Sequence, residues 1–201
     1  VAEGLIYHNW EVKPFDKTQI GQLQTDDGEK AEGWKYHHIF GLDYGYTNDP
    51  AAFIAAAVNP LDHLIYIYDE HYQKGMLNSE IAEMIQAKGY AKERIYADCA
   101  EPKSNEELRR CGISRVTPSV KGRDSILYGI AVIQDYHIIV HPSCTNTIME
   151  LSSYCWGQDK LGKTINKPVD ENNHLMDALR YAMEDIKYFH PADPSAKKKR
   201  K

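Results

Sequence analysis

The hydrophobic pattern divides the chain into a group of apolar strands followed by alternating helices and strands. Three apolar segments, His38–Tyr44, Ala51–Val58 and His63–His71, are separated only by short turns rich in Asn, Asp and Pro. Parallel neighbours need a crossover of a dozen or more residues, so these strands are predicted to form an antiparallel meander. Residues 1–37 are irregular, with Leu5–Trp10 as one further candidate strand.

From residue 78 onward the apolar positions follow the helical period in five segments that alternate with short strands. In chain order we predict helix 78–89, strand 94–98, helix 105–110, strand 113–118, helix 124–136, strand 137–141, helix 145–154, a hairpin within 157–173 and helix 174–188. A meander followed by alternating helices and strands implies right-handed crossovers and a mixed sheet covered by helices. The predicted fold class is therefore α/β, in the ribonuclease H-like order: an antiparallel three-strand meander, then parallel strands, flanked by helices.

Length and composition limit the possibilities further. With 201 residues, 42% hydrophobic and 26% charged, the chain has the size of one globular domain with appendages. No stretch approaches 18 consecutive apolar residues, so no membrane span is predicted. The chain begins without Met or a secretory signal, and we expect a fragment of a longer protein. Four cysteines without a C-x-x-C pair predict reduced thiols rather than a zinc cluster or disulfides.

The net charge of −5 is unevenly distributed. The last five residues, Lys197–Lys201, are all basic, so the body of the chain is more acidic than the total indicates. Residues 191–201 lack an apolar period and are predicted to form a disordered basic tail, whether as a DNA-contacting arm, a localisation signal or a cloning remnant. An acidic body can bind nucleic acid only through local basic patches or metal ions that offset its carboxylates.

Three aspartates lie at positions from which their carboxylates could form one cluster. Asp43 lies inside an apolar strand, where desolvation is costly unless the group is paired or bound to metal. Asp98 ends the apolar strand Ile95–Asp98, and Asp177 lies in the last predicted helix, with His174 three residues earlier on the same face. The three acids meet only if that helix crosses the sheet near both strands, as the predicted fold requires.

Such a cluster would suit two divalent metal ions. Shared carboxylates hold paired ions that clamp the attacking and leaving oxygens of a phosphodiester. Hard oxygen ligands favour Mg²⁺ or Mn²⁺, and an imidazole ligand shifts the preference toward Mn²⁺.

Each residue also has a purely structural interpretation. Asp43 could be a hydrogen-bonded buried acid, and Asp98 could cap the helix that follows it. Asp177 could be a solvated helix acid, and His174 a first-turn residue without a ligand role. The coincidence of all four with the predicted order of elements favours the cluster.

Basic residues between 101 and 125 are candidate DNA contacts, namely Lys103, Arg115, Lys121 and Arg123. Lys121 is the strongest candidate because it lies just before a predicted helix start, where phosphate is favoured. The alternative is an ordinary solvated surface. Contacts to backbone phosphates would predict little sequence preference and strong salt sensitivity.

Four segments resemble the nuclease domain of tailed-phage terminase large subunits, most closely those of the SPP1 type. In order along the chain they are Gly41–Ala52 (GLDYGYTNDPAA), Tyr96–Ser104 (YADCAEPKS), Lys121–Ile126 (KGRDSI) and Asn173–Tyr181 (NHLMDALRY). The resemblance implies that residues 38–190 form a ribonuclease H-like nuclease domain, and that residues 1–37 link it to an ATPase domain outside this sequence.

The resemblance also implies roles for individual residues. By position in these motifs, Asp43, Asp98 and Asp177 are the catalytic, metal-binding acids, and His174 is the histidine near the metal. The implied cofactors are two divalent ions, Mg²⁺ or Mn²⁺.

The implied activity is that of an endonuclease that cuts concatemeric double-stranded viral DNA during genome packaging, with little sequence specificity. The implied partners are this DNA, the N-terminal ATPase domain of the same protein, the portal protein and the small terminase subunit. The implied location is the host cytoplasm rather than the mature virion. The chain contains no G-x-x-x-x-G-K-[ST] loop, so it is not predicted to be the motor itself.

Three other functions are compatible with parts of the pattern. A Holliday-junction resolvase or transposase core shares the predicted fold and metals and differs in substrate shape. A sugar-kinase or actin-like ATPase would need roughly twice this length. A non-catalytic DNA-clamping or docking domain is disfavoured by the acidic body.

Overall fold

The computed structural model describes residues 4–18, 20, 22–24, 30–34, 36–120, 122 and 125–188. The strands in this part are β1 (Trp10–Val12), β2 (Gln22–Gln24), β3 (Lys30–Trp34), β4 (His37–Asp43), β5 (Ala51–Asn59), β6 (Leu64–Gln73), β7 (Ile95–Ala97), β8 (Val116–Pro118), β9 (His137–Val140), β10 (Trp156–Gln158) and β11 (Thr164–Pro168). The helices are α1 (Asn78–Ala87), α2 (Pro102–Arg110), α3 (Ser125–Gln134), α4 (Thr145–Ser153) and α5 (His174–Ala182), and a 3₁₀ segment, Met183–Tyr188, continues α5.

Seven strands form one mixed sheet in the order β1-β9-β6-β5-β4-β7-β8. The central strands β4, β5 and β6 pair antiparallel, which confirms the predicted meander. The outer strands join in parallel: β7 pairs with β4, β8 with β7, β9 with β6, and β1 with β9. The α/β fold class and its ribonuclease H-like order of elements are therefore confirmed.

The centre of the sheet is covered on both faces. All nine residues of β5 are buried. Ala52, Ile54 and their same-face neighbours belong to the core under α3, α4 and α5, whereas Phe53 and Ala55 belong to the core under α1 and α2. Successive side chains of a strand point to opposite faces. Because both faces of β5 are covered, its residues are apolar from Ala51 to Val58.

The helix α5 packs very closely on β4. A Cβ atom added at Gly41 would collide with the backbone carbonyl of Ala178 and would lie 3.1 Å from the Cβ of Ala182. Glycine on the strand and alanines on the helix therefore let the two backbones approach at this point. This contact places α5 across the sheet, as the predicted cluster of acids requires.

The strand predicted at Leu5–Trp10 is wrong in its position. Leu5 makes only an isolated antiparallel bridge to Cys155, and regular pairing begins at β1, three residues that lie beside β9. Ile6 and Tyr7 are buried in the core instead, because an apolar run can fill a core without pairing as a strand. The domain boundary at residue 37 stays a prediction, although residues 5–12 pack against the main sheet.

Other predictions concern the periphery. The hairpin predicted within 157–173 is present as β10 and β11, which pair antiparallel. All four cysteines are free thiols, as predicted. None of the helices within the described residues is both long and apolar enough to cross a membrane. The predicted basic tail, 191–201, lies outside the described residues.

Candidate active site

Asp43 and Asp98 stand side by side at the carboxyl ends of neighbouring parallel strands. In the register of β4 and β7, Leu42 lies opposite Ala97, so the two aspartates are the next residues on each strand. The backbone N–H of Asp98 donates to the carbonyl of Leu42 at 3.3 Å. Because the strands run in the same direction, their carboxyl ends share one edge of the sheet.

The first turn of α5 meets the same edge. The Nδ1 atom of His174 lies 3.1 Å from Oδ2 of Asp43, and its Nε2 atom lies 3.6 Å from Oδ1 of Asp49. This pairing depends on the close packing of α5 on β4 at Gly41, two residues before Asp43.

Asp177 lies one turn further along α5 and is held by Arg180. The Nε and NH2 atoms of Arg180 donate to Oδ1 of Asp177 at 3.3 and 2.9 Å. The amide of Asn173 is 3.5 Å from the other oxygen, Oδ2, a weaker contact. The Arg180 guanidinium also lies 4.7 Å from the centre of the Tyr181 ring. One oxygen of Asp177 is thus firmly fixed and the other is more available.

The electrostatics of Asp43 reflect both burial and its acidic neighbours. Only 8% of the residue is exposed. The pKa of Asp43 is raised to about 6, mainly by burial. The hydrogen bond to His174 opposes this rise, and the negative charges of Asp177 and Asp98 add to it. The charges of Asp98 and Asp177 therefore both act on Asp43 in a partly desolvated space.

The partners of Asp43 are shifted in the same direction. The hydrogen bond to Asp43 raises the pKa of His174, despite the opposing effect of burial. Burial raises the pKa of Asp177 above its usual value, and Arg180 counters that rise.

The donor set suits a hard divalent cation. Three carboxylates and one imidazole are ligands that Mg²⁺ and Mn²⁺ accept, and a cation would neutralise the buried charge of Asp43. Within the described residues, no three His, Cys, Asp or Glu side chains converge closely enough to hold a metal ion. His174 and Arg180 instead pair with the aspartates, so metal binding would require these side chains to reorganise.

Asp98 does not cap the following helix, which was the structural alternative for this residue. Its Oδ1 atom accepts the N–H of Ala100 at 2.9 Å, which forms a local turn. Helix α2 begins after Glu101, and the Asn105 side chain donates to the Asp98 carbonyl at 3.0 Å. The Asp98 carboxylate therefore stabilises this turn through Oδ1 and does not cap α2.

The four predicted DNA contacts do not share one location. Lys103 is exposed on the first turn of α2, close in sequence to Asp98. Arg115 is exposed just before β8 and donates to the Lys92 carbonyl at 3.1 Å, at the opposite end of β8 from the aspartate edge. The structure thus does not bring Arg115 to the cluster, because β8 runs parallel to β7. Lys121 and Arg123 lie outside the described residues.

Sequence reasoning did not identify two charged residues of this region. Arg180 is three residues after Asp177, a spacing at which helix side chains meet, so the sequence carried a usable signal. Glu150 of α4 contacts the start of α5, and no local pattern indicates this because the residues are 25 positions apart.

Comparison with known proteins identifies the family of the chain. The sequence model described as "Terminase RNAseH like domain" matches residues 43–185. The large terminase subunit of Bacillus phage SPP1 is 33% identical over 177 residues, covering 86% of this chain and 41% of that protein. The PBSX phage terminase large subunit of Bacillus subtilis strain 168 is 31% identical over 145 residues, covering 72% and 34%. The chain thus spans about two fifths or less of the length of these relatives.

One solved structure is similar to this chain over nearly the whole length of both. The crystal structure of the g2p (large terminase) nuclease domain of bacteriophage SPP1 with bound Mn has a TM-score of 0.76 and 29% identity. The similarity covers 90% of this chain and 99% of that one. The order of elements, the fold and the matched region agree, and the chain belongs to the terminase RNase H-like domain family.

Proposed function

We propose that this chain is a metal-dependent endonuclease that cuts double-stranded viral DNA during genome packaging. The observation that carries the proposal is the buried Asp43 beside Asp98, met at the same edge by His174 and Asp177 of α5. The SPP1 nuclease domain, similar in fold and solved with bound Mn, supports a divalent cation at this edge.

The residues that would hold the cation are Asp43, Asp98, Asp177 and His174. When bound as a pair, Mg²⁺ or Mn²⁺ activates water and stabilises the charge that develops on a phosphodiester. Two ions are proposed because the family resemblance implies a pair, and because the charges of both Asp98 and Asp177 act on the buried Asp43.

The side chains of the chain itself prepare this edge. Asp43 is ionised above pH 6 and so presents a negative oxygen at neutral pH. His174 holds that oxygen by a hydrogen bond, and Arg180 fixes Oδ1 of Asp177. Burial between β4 and α5 limits access of bulk water to Asp43, which strengthens every charge interaction there.

A groove beside Asp177 would receive the DNA strand. It has a volume of about 550 Å³ and is lined by the start of α3, by β11 and the residues after it, and by Asn173 and Asp177. Lys167 is one of its lining residues and can meet a phosphate. Contacts of this kind recognise the backbone rather than the bases, so we propose cleavage with little sequence preference.

The wider assignments follow from the family. We propose that an ATPase domain of the same protein precedes this chain, with residues 1–37 as the link and residues 38–190 as the nuclease domain. The proposed partners are the portal protein and the small terminase subunit, and the proposed location is the host cytoplasm. Lys103, Lys121 and Arg123 remain proposed DNA contacts.

The test is cleavage of supercoiled plasmid at low salt with Mn²⁺, with Mg²⁺ and with a chelator. We expect nicked and linear products only with metal, and none from Asp43→Ala purified in parallel. Equal cleavage of a four-way junction and a linear duplex would agree with this assignment, and strong preference for the junction would favour a resolvase. Cleavage by Asp43→Ala equal to the wild type would contradict the proposed site.

A second measurement locates the metal directly. A crystal soaked in Mn²⁺ should show two anomalous peaks among Asp43, Asp98, Asp177 and His174. Peaks elsewhere on the surface would remove these residues from the ligand set.

A further inference from the structure

Glu150 of α4 acts as an external cap for α5. The residue is fully buried, and its Oε2 atom accepts the backbone N–H groups of Leu175 at 2.8 Å and Met176 at 3.0 Å. Asn173, the residue before α5, makes no capping hydrogen bond with its side chain. The free N–H groups at a helix start need acceptors, and here a neighbouring helix supplies one that also carries a favourable negative charge.

The other oxygen of Glu150 is unusual. Among the described residues, Oε1 of Glu150 is the buried side-chain atom that has no hydrogen-bond partner. Burial raises the pKa of Glu150 to about 7, although the N–H groups of Met176 and Leu175 and the nearby His174 counter this rise. Burial raises the pKa of Tyr72, and the carboxyl group of Glu150, which also acts on this side chain, raises it further. A buried carboxyl oxygen without a hydrogen-bond partner is uncommon in proteins.

Helix α4 is itself anchored to the sheet by a carboxylate. Glu70 of β6 accepts the N–H groups of Asn146 at 2.9 Å and Thr147 at 2.8 Å, and the Thr147 hydroxyl at 2.6 Å. The carboxylate of Glu70 thus connects the sheet to α4, and that of Glu150 connects α4 to α5. The second of them, Glu150, contacts the two residues that follow His174.

We propose that Glu150 is a positioning residue for the candidate active site. It fixes the first turn of α5 and thereby holds the His174 ring against Asp43, the contact that defines the edge. The inference rests on the proposed function for its metal readout, but the position of the His174 ring is a property of the metal-free chain. This role requires an acceptor oxygen within hydrogen-bond distance of the N–H groups of Leu175 and Met176. Substitutions of Glu150 can remove or keep that oxygen.

Three substitutions of Glu150 distinguish the effect of side-chain length from the effect of negative charge. Glu150→Ala removes the acceptor, Glu150→Asp keeps the charge but withdraws it by one methylene, and Glu150→Gln keeps an acceptor oxygen at full reach. Glu70→Gln is the matched control, since it alters the same kind of cap one helix away from His174. All variants are made in the whole 201-residue chain.

Two readouts are used: the Mn²⁺ dissociation constant from titration calorimetry, and the nitrogen-15 signals of the histidine rings in metal-free protein. We expect Glu150→Ala and Glu150→Asp to weaken Mn²⁺ binding about 10-fold or more and to shift the His174 ring signals. Glu150→Gln should restore most of both. Glu70→Gln should lower the melting temperature and leave both readouts close to the wild type.

The results that overturn the inference are distinct from those that overturn the proposed function. If Glu150→Asp, or Glu150→Ala where it folds, keeps wild-type ring signals and wild-type Mn²⁺ affinity, Glu150 does not position His174. The same conclusion follows if Glu70→Gln reproduces the full effect. If the wild-type chain binds no Mn²⁺, the proposed function fails, and the ring signals still decide the role of Glu150.

Discussion

The two ends of β4 carry the same pair of residue types in different surroundings. At the carboxyl end, Asp43 of the strand lies 3.1 Å from His174 of α5. At the amino end, His37 of the strand lies 2.8 Å from Asp185 of the 3₁₀ segment that continues α5. A single helical stretch is therefore tied to one strand at both ends, with the two residue types exchanged.

The surroundings of the two pairs explain why one end is a candidate catalytic edge. Asp185 has a second cationic contact, Arg94 at 3.5 Å, so its single carboxylate faces two basic groups. Asp43 instead shares its space with the charges of Asp177 and Asp98, and burial raises its pKa. A histidine–aspartate pair alone is therefore not a functional signal. The excess of carboxylates around it is the informative feature.

The largest effect is expected from a substitution at the carboxyl end of β4. Asp43→Asn should reduce metal-dependent plasmid cleavage by more than about 100-fold, because even residues that only orient metal ligands contribute about 10- to 100-fold. The fold should persist, since asparagine fills the same volume. The measurement is initial cleavage rate beside a thermal melt.

The matched control is at the other end of the same strand. His37→Gln should lower the melting temperature while leaving the cleavage rate within about 2-fold, because it removes the pair with Asp185 at the end of β4 remote from Asp43. A loss of cleavage by His37→Gln as deep as that of Asp43→Asn would mean that the two ends are not functionally different.

The next effect disturbs both ends by separating α5 from β4. Gly41→Val introduces side-chain atoms where even a Cβ would collide with the Ala178 carbonyl. We expect destabilisation of about 3 kcal/mol, at the upper end of what overpacking costs, measured by urea unfolding. Gly122→Ala is the control, because nothing lies within 4 Å of a Cβ at that position and its stability should stay unchanged.

A smaller effect is expected from the amino end alone. Asp185→Asn removes the charge that faces His37 and Arg94 and should cost about 1 kcal/mol of unfolding free energy. Mn²⁺ affinity should not change. A fall in Mn²⁺ affinity with Asp185→Asn would show that strain at one end of the helix reaches the other.

The last predicted effect is a dependence of stability on pH. The unfolded chain releases the Asp43 proton near the ordinary pKa of 3.8, whereas the folded chain holds it until about 6. Between these values the folded state binds more protons, so stability falls as the pH rises. The raised pKa of His174 acts in the same direction, since the stability gained from its protonated form is lost as the pH rises.

We expect a loss of roughly 2 kcal/mol between pH 4 and pH 6.5 in metal-free protein. Urea unfolding at several pH values measures it. Asp43→Asn should flatten this slope, and a slope unchanged by the substitution would assign the effect to other groups.

Much of the fold could be predicted because its signals are local. The three strands of the meander are separated by short polar turns, and β5 is a continuous apolar run. The candidate positions of Asp43 and Asp98 follow from one kind of signal, a charged residue within or at the end of an apolar strand. The structure corrects the first of them, because β4 ends at Asp43. Their proximity follows once the two strands are known to be parallel.

The remaining features depend on long-range packing. Trp10–Val12 pairs with β9, more than a hundred residues away, and no local pattern indicates which three residues take part. The capping of α5 by Glu150 and the placement of Arg115 at the far end of β8 have the same origin. In each case a side chain's neighbours are set by tertiary contacts that the sequence period does not encode.

The packing of α5 on β4 has a consequence for biosynthesis. Asp43 and Asp98 emerge early, but the helix that completes their edge is among the last parts of the domain to leave the ribosome. Contacts of such high sequence separation carry a loop-closure cost and slow folding. A nascent chain therefore exposes only a partial set of these acids, and Asp177 and His174 join Asp43 and Asp98 only when α5 has been synthesised.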